Sequence, residues 1–204
     1  MKKVNSIQQL LGQTDIYLID QILKGRYVEG DTILDAGCGS GRNLHWFIQN
    51  QFNLYGIDSH AEAISKLKNS FPGLPADRFL VSPVEETIFT DNYFDHIISS
   101  AVLHFADSTA QFIKMIAEME RILKPAGTIF IRMTSDIGIG HKVKHLGDGV
   151  YLIPDGSKRF LLTGSLLAET MERFNLSFIE PLKTVNVDDI RCMSTLVLQK
   201  NKKI

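Results

Sequence analysis

Short runs of apolar, often β-branched residues alternate along the chain with segments whose apolar residues recur every three or four positions. Runs of the first kind predict buried strands, and segments of the second kind predict amphipathic helices. Strands are expected near residues 32–36, 53–57, 78–81, 94–99 and 127–133. Such an alternation is typical of a parallel sheet that carries helices on both faces.

The clearest predicted helix lies between the fourth and fifth strands. Asp107 or Ser108 can cap its first turn. Pro125 together with Gly127 ends it. Its apolar residues recur at helical spacing and are expected in the core; they are Phe112, Met115, Ile116, Met119, Ile122 and Leu123.

A second helix is predicted before the first strand, with Gly25 directly after its last turn. One face of this helix is expected to lean on the sheet. The residues assigned to that face are Ile16, Ile19, Ile22 and Leu23.

The pattern changes after the fifth strand. The glycine-rich segment 135–160 predicts a loop or a hairpin, and Thr163 or Ser165 can cap a helix behind it. Two further apolar runs, 176–187 and 192–198, predict an antiparallel pair at the edge of the sheet.

Composition limits the possible classes of protein. The chain has 204 residues, of which 44% are hydrophobic and 22% are charged, so it can bury one substantial core and fits a single domain. Its formal net charge of −1 provides no bulk attraction to nucleic acid or to anionic lipid. Neither nucleic acid nor a membrane is therefore expected as a partner.

Targeting and redox signals are weak. No apolar run approaches the length of roughly 18 residues that would cross a bilayer, and residues 1–6 lack the apolar core of a secretion signal. A cytoplasmic location is therefore expected. Cys38 and Cys192 are far apart and share no ligand spacing with histidine, so neither a disulfide framework nor a metal site is expected.

A glycine-rich loop follows the first predicted strand and carries the strongest chemical signal. Gly37, Gly39 and Gly41 allow a sharp turn and a close approach of a ligand, and free N–H groups at the start of a following helix are expected to face the same spot. Asp58 ends the second strand, where a carboxylate can accept from both hydroxyls of a ribose. The ligand is therefore expected to be a nucleoside. The spacing lacks the third glycine of G-x-G-x-x-G, which disfavours NAD.

Asp35 precedes this loop and completes the pattern acidic-x-Gly-x-Gly-x-Gly. In this the chain resembles the class I S-adenosylmethionine-dependent methyltransferases. Segments 82–85, 89–100 and 123–131 resemble, in the same order, the adenine loop, the fourth strand and the turn into the fifth strand of that family. The likeness is nearest to the small stand-alone enzymes of the ubiquinone-biosynthesis and tellurite-resistance type.

The resemblance implies one α/β domain over residues 1–204, doubly wound and Rossmann-like. Its sheet would have seven strands, mostly parallel, with an antiparallel C-terminal hairpin. The implied cofactor is S-adenosylmethionine, and the implied activity is methyl transfer to a small-molecule acceptor. Two alternatives stay open: a non-catalytic S-adenosylmethionine-binding module that acts through a protein partner, and a nicotinamide-dependent oxidoreductase, whose ribose Asp58 would serve equally well.

The resemblance also assigns residues to the cofactor. These are Arg26, Asp35, Gly37, Cys38, Gly39, Asp58, Ser59, Val84, Glu85 and Ser100, the last through its backbone carbonyl. Arg26 either lines the methionine end of the pocket or is solvated. Pro83 stands where related enzymes often have an acidic residue, so Glu85 either accepts from the adenine amine instead or belongs to an exposed acidic turn.

His104 is the candidate catalytic residue, because it follows the fourth strand at the edge where open α/β sheets bind their ligands. It is either a general base or a packing residue. For the acceptor, the basic segment 140–145, Arg132 and Arg191 are candidates to bind an anionic group, and a solvated surface is the alternative.

Overall fold

The computed structural model describes residues 7–202, so residues 1–6, on which the secretion-signal argument rests, lie outside it. The helices are α1 (Ile7–Leu11), α2 (Ile16–Leu23), α3 (His45–Gln49), α4 (Ala61–Ser70), α5 (Thr109–Ile122) and α6 (Gly164–Arg173). The strands are β1 (Thr32–Ala36), β2 (Asn53–Asp58), β3 (Phe79–Val81), β4 (Phe94–Ser100), β5 (Leu123–Thr134), β6 (Lys144–Gly147), β7 (Val150–Leu152), β8 (Lys158–Phe160), β9 (Leu176–Phe178), β10 (Lys183–Val187) and β11 (Arg191–Lys200).

The central sheet has the order β10-β11-β5-β4-β1-β2-β3, and β9 also pairs with β11. Strands β1 to β5 run parallel to one another, whereas β11 runs antiparallel to β5, β9 and β10. The α/β doubly wound fold with an antiparallel C-terminal end is thus confirmed. The sheet has eight strands rather than seven, because the apolar run 176–187 forms two short strands, β9 and β10, instead of one.

Two cores lie on the two faces of this sheet. One contains apolar side chains of α5 and α6, among them Phe112 and Leu166. The other contains side chains of α2, α3 and α4, among them Leu18, Phe47 and Leu67. Parallel strands covered on both faces bring their carboxyl ends to one edge, and ligands of open α/β sheets bind at that edge.

Helix α5 agrees with its prediction. The hydroxyl of Ser108 accepts from the N–H of Gln111 and caps the first turn, and the apolar side chains of the predicted stripe are buried. The predicted buried face of α2 is confirmed for Ile22, which packs against the core, and is wrong for Ile16 and Leu23. Ile16 and Leu23 are 69% and 82% exposed, whereas Leu18 and Gln21 are fully buried. A helix of eight residues that is apolar on most sides does not determine from its pattern alone which face packs.

Segment 135–160 forms more structure than a single hairpin. Strands β6, β7 and β8 make a small antiparallel sheet of their own. Strand β8 packs against the short 3-10 turn Leu103–Phe105 that follows β4. Residues from far along the chain therefore lie beside the carboxyl end of the central sheet. Among the described residues, no helix is long and apolar enough to cross a bilayer.

Candidate functional site

The loop after β1 is anchored to the end of β2. The backbone N–H groups of Gly37 and Cys38 donate to the carbonyl of Ile57 at 2.8 and 2.9 Å. The helix that follows the loop, α3, begins at His45. Gly39 and Gly41 have φ angles of +54° and +93°, which interrupt a right-handed helix at these positions.

The three glycines of the loop serve different purposes. A Cβ atom on Gly37 would overlap the side chain of Val102, and one on Gly41 would lie 2.9 Å from the ring of Phe71. A Cβ atom on Gly39 would meet nothing within 4 Å. Gly37 and Gly41 are thus required by packing, whereas Gly39 leaves open space where a ligand can approach the backbone.

Asp58 binds the loop from the end of β2. Its Oδ2 accepts from the N–H of Gly39 at 2.9 Å, and its Oδ1 accepts from the N–H of His60 at 2.9 Å. The His60 ring also lies 3.1 Å from Oδ1 through Nδ1, although this side chain is 82% exposed. A carboxylate has about four acceptor positions. Once the exposed ring moves away, each oxygen keeps one free position, which suits the two hydroxyls of a ribose.

A cavity of about 620 Å³ opens beside Asp58 at the carboxyl edge of the sheet. It is lined by Gly37, Asp58, Ser59, His60, Pro83, Val84, Glu85, Ala101, Val102, Phe105, Asp107, Gln111 and Met115. Five of the residues assigned to the cofactor from the sequence line this cavity, namely Gly37, Asp58, Ser59, Val84 and Glu85. Gly39 borders it through its hydrogen bond to Asp58.

Asp35 ends β1 beneath this loop and is almost completely buried. Among the described residues, neither of its carboxylate oxygens has a hydrogen-bond partner. The pKa of Asp35 is raised to about 7, mainly by burial; the charge of Arg42 lowers this pKa in part, and the charge of Asp58 helps to raise it. A buried, unpaired carboxylate is unfavourable unless a ligand supplies a donor.

The segment after β3 forms one wall of the cavity. Val84 is buried, and the carboxylate of Glu85 accepts from Nε2 of Gln111 at 2.7 Å. Oε1 of the same Gln111 accepts from the N–H of Asp107 at 2.8 Å. Glu85 is therefore held in place beside the cavity, and it does not stand free in an exposed turn.

Ser100, at the end of β4, belongs to a polar cluster next to the cavity. Its hydroxyl donates to Asp15 at 3.3 Å and accepts from Arg42 at 3.4 Å. Asp15 also pairs with Arg132 at 3.0 Å, and the Arg132 guanidinium lies 4.8 Å above the ring of Tyr17. Two arginines, Arg42 and Arg132, thus flank the end of β4.

Two residues assigned to the cofactor lie elsewhere. Arg26 donates to Gln21 at 2.7 Å and pairs with Glu180 at 3.4 Å, and it does not line the cavity. Its charge is already matched at the base of α2. The Cys38 thiol is buried in the core beneath the loop, and burial raises its pKa, so it acts there as a small packing residue.

His104 lies in the 3-10 turn after β4, but it does not line the cavity. Its Nδ1 accepts from the backbone N–H of Thr134 at 3.3 Å. A backbone N–H can only donate, so the neutral ring carries its proton on Nε2. Burial, together with the charges of Arg159, Arg191 and Arg132, lowers the pKa of His104 to about 4. These features favour the packing role over the general base.

The burial of His104 predicts a pH-dependent stability. The unfolded residue has a pKa near 6.5, above the folded value of about 4, so the unfolded chain binds the extra proton between these values. We expect the free energy of unfolding to fall as the pH decreases through this window. In His104→Asn the fall should be smaller, because the other buried histidine, His96, still contributes to it, and the stability at neutral pH should be lower by about 1 to 3 kcal/mol. Urea unfolding at a series of pH values measures both.

If His104 were a general base, its replacement would lower turnover rather than stability. Loss of about a hundredfold in turnover by His104→Asn at unchanged stability would contradict the packing role. The expected result is a pH profile of turnover that has the same shape in the parent and in the variant.

Several residues of this site carry no recognisable sequence signal. Gln111 lies in the first turn of α5 and resembles any helix-surface residue, yet it holds Glu85. Ala101 has a φ of +64°, a left-handed conformation that a non-glycine residue rarely adopts, and it lines the cavity directly after β4. His60 lies two positions after Asp58 and has no other sequence signal.

The fold and this cavity define a protein that binds a nucleoside-containing cofactor at the carboxyl edge of a doubly wound sheet. The profile of the methyltransferase domain family matches residues 34–131, which include the glycine-rich loop, Asp58 and the adenine-loop segment. This match covers just under half of the chain and, together with the fold and the site, supports a class I S-adenosylmethionine-dependent methyltransferase with S-adenosylmethionine as its cofactor. The narrower likeness to the ubiquinone-biosynthesis and tellurite-resistance enzymes stays a prediction.

The curated proteins that are similar in sequence are methyltransferases named for different reactions. O-methyltransferase 3 of Dictyostelium discoideum is 26% identical over 154 residues, which cover 69% of this chain and 35% of that protein. A tRNA N(3)-cytidine methyltransferase of Mus musculus is 26% identical over 168 residues, which cover 74% of this chain and 57% of that protein. The chain spans less than two thirds of the length of these curated relatives.

Solved structures share the fold. A SAM-dependent methyltransferase from Methanosarcina mazei has a TM-score of 0.73 at 19% identity, covering 89% of this chain and 98% of its own. The 1,6-didemethyltoxoflavin-N1-methyltransferase of Burkholderia thailandensis was solved with 1,6-didemethyltoxoflavin and S-adenosylhomocysteine bound. It has a TM-score of 0.69 at 18% identity, and the match covers 91% of this chain and 76% of that one.

Proposed function

We propose that this chain, as one domain over residues 1–204, transfers the methyl group of S-adenosylmethionine to a small-molecule acceptor. The observation that carries the proposal is the cavity of about 620 Å³ between Asp58 and Phe105, which is within the usual size of small-molecule sites. A formal net charge of −1 argues in the same direction, because it offers no bulk attraction to RNA. One structural neighbour is named for a small acceptor, whereas one relative is named for tRNA.

The residues fit the parts of this cofactor. Asp58 offers one acceptor position on each oxygen to the ribose hydroxyls. Glu85, held by Gln111, offers its remaining acceptor positions to the adenine amine. Asp35 offers an unpaired carboxylate to the ammonium group, and Arg42, which lies near it, offers a charge to the carboxylate of the methionine end.

When bound, S-adenosylmethionine supplies a methyl group that its sulfonium charge already activates. The protein then has to align an acceptor with that methyl group and to keep water away, which is worth up to roughly 7 to 11 kcal/mol in favourable cases. His104 supplies no proton transfer in this scheme, because its Nδ1 is occupied and its pKa is about 4. Its packing under Phe105 helps to position the acceptor end of the cavity.

Calorimetry and a methyl-transfer assay test the proposal. S-adenosylhomocysteine is expected to bind and NADH is not. Transfer of label from the cofactor's methyl group to components of a small-metabolite extract, and not to total tRNA, is the expected outcome. Binding of NADH in place of S-adenosylhomocysteine would overturn the cofactor assignment. Labelling of tRNA alone would overturn the acceptor class, and binding without any methyl acceptor would favour a non-catalytic module.

The unpaired carboxylate of Asp35 predicts how the affinity for S-adenosylhomocysteine depends on pH. With a pKa of about 7 in the free protein, Asp35 is protonated below that pH. A ligand ammonium group favours the carboxylate and displaces this proton, so affinity should rise with pH up to about 7 and then level off. Below pH 7 the affinity for S-adenosylhomocysteine should fall by close to tenfold for each unit of decreasing pH.

Asp35→Asn is the matched control for this titration. The amide keeps the shape of the side chain but carries no charge, so affinity should be lower and no longer depend on pH in this range. Calorimetric titrations of both proteins across this range provide the comparison. A parent protein whose affinity stays constant from about pH 5.5 to 8 would show that Asp35 does not face the ammonium group.

A further inference from the structure

Strand β8 brings a cation to the acceptor end of the cavity. The guanidinium of Arg159 lies 4.9 Å above the ring of Phe105, and this ring in turn lies 4.5 Å from the His104 ring. Phe105 is 60% exposed and lines the same cavity as Gly37 and Asp58. Arg159 therefore stands at the rim of the cavity, on an aromatic ring that offers an apolar surface to a ligand.

Two other arginines lie close to the same turn. Arg132 ends β5 beside Ser100, and Arg191 begins β11. After burial, the charges of Arg159, Arg191 and Arg132 are the remaining causes of the low pKa of His104, so all three lie near enough for their charges to act on that ring. We refer to Phe105, Arg132, Arg159 and Arg191 as the arginine site.

Acidic side chains balance these charges only in part. Asp15 lies 3.0 Å from Arg132, and Asp155 lies 4.0 Å from Arg191. Between residues 7 and 202, no carboxylate lies within 4.0 Å of Arg159, whose Nη1 donates only to the carbonyl of Lys158. The site has an excess of positive charge next to a cavity.

Arg132 provides a second, independent observation. Its Nε is inaccessible to solvent and has no hydrogen-bond partner among the described residues. Buried N–H groups are nearly always paired, so this one lacks an acceptor that a bound ligand could supply. Guanidinium groups bind carboxylates and phosphates through paired N–H donors.

We propose that the arginine site binds an anionic group of the methyl acceptor, a carboxylate or a phosphate, while the apolar body of the acceptor packs on Phe105. This inference rests on the proposed function and names the chemistry of its substrate. The anion anchors the acceptor at the end of the cavity opposite Asp58, and the rest of the molecule then extends toward the cofactor. A neutral molecule of the same shape lacks this anchor.

The test uses three probes of similar shape on protein saturated with S-adenosylhomocysteine: benzoate, phenyl phosphate and benzamide. Ligand-observed NMR titration is expected to show binding of benzoate or phenyl phosphate, with benzamide at least about tenfold weaker. Preference for one of the two anions identifies which group the acceptor carries. The Arg159→Gln variant should bind that anion with an affinity about tenfold lower, or lower still, than the parent.

Lys158→Gln is the matched control, because it removes the same charge from the adjacent position on β8. It should bind the anions like the parent, and both variants should keep the parent's affinity for S-adenosylhomocysteine. Equal binding of benzamide and benzoate, absence of binding by both anions, or unchanged anion binding in Arg159→Gln would each overturn the inference. Binding of total tRNA that weakens equally in Arg159→Gln would overturn it in favour of an RNA surface. Failure of the parent to bind S-adenosylhomocysteine would instead defeat the proposed function.

Discussion

Gly39→Val is expected to abolish measurable binding of S-adenosylhomocysteine while the protein stays folded. Among the described residues other than its two chain neighbours, no atom lies within 4 Å of a Cβ at this position, so the valine side chain would extend into the space that the ligand needs. The backbone there has a φ of +54°, which a β-branched residue adopts only with strain of about 1 to 3 kcal/mol. Calorimetry of the variant measures the binding, and thermal melting measures the stability.

Gly30→Val separates the strain from the loss of space. Gly30 also has a positive φ, of +92°, and also has nothing within 4 Å of an added Cβ, but it precedes β1 at the opposite edge of the sheet. This variant should lose at least as much stability and keep the parent's affinity. If Gly39→Val bound S-adenosylhomocysteine like the parent, the loop would be only a tight turn and the cofactor assignment would fail.

The buried strands of the central sheet were predictable because each one is a short apolar run beside a turn signal. Strands β1, β2 and β4 lie within one residue of their predicted bounds. A parallel strand buried on both faces has little freedom to be anything else. The caps of α5 and α6 were likewise local, since the hydroxyls of Ser108 and Thr163 accept from N–H groups three residues ahead.

Local patterns failed where a distant contact decides the outcome. The face of α2 that is buried depends on Gln21, which is fully buried and holds Arg26, and on Arg26 pairing with Glu180. The start of α3 depends on glycines whose positive φ angles serve the packing of Phe71 and Val102. The pairing of Arg26 with Glu180 and the contacts of the loop glycines with Phe71 and Val102 join residues far apart in the chain, so a local pattern does not show them.

The same limit applies to the site. Asp58 was predictable from its place at the end of a strand, but its hydrogen bonds to Gly39 and His60 were not. Arg159 reaches Phe105 from 54 positions further along the chain, and the small sheet that carries it was expected to be a loop or hairpin. The sequence therefore indicated Asp58 and its neighbours in the cavity, and it gave no signal for Arg159.

Asp58→Ala is expected to weaken binding of S-adenosylhomocysteine by about 100-fold or more. The change removes the acceptors for two ribose hydroxyls, each charge-assisted hydrogen bond being worth about 1.5 to 3 kcal/mol. It also leaves the N–H groups of Gly39 and His60 without their partner, so the loop loses its anchor. Calorimetry for the affinity and melting temperature for the stability are both needed.

Asp58→Asn should have a smaller but clear effect. Each carboxylate oxygen accepts from a backbone N–H, at Gly39 on one side and at His60 on the other. An amide has only one oxygen, so its NH2 group must face one of these donors, and one hydrogen bond is lost whichever way the side chain turns. The ribose likewise keeps one acceptor instead of two.

His60→Ala is the control that distinguishes ribose binding from a local structural role. The exposed imidazole occupies an acceptor position of Asp58 that the ribose needs, so its removal should leave the affinity unchanged or slightly higher. A capping role for Asp58 would make all of these variants lose stability rather than affinity, yet the N-cap position of α4 is His60 and no side chain caps that helix. An Asp58→Ala protein that binds S-adenosylhomocysteine like the parent would remove the ribose assignment, and with it the main support for the orientation of the cofactor in this cavity.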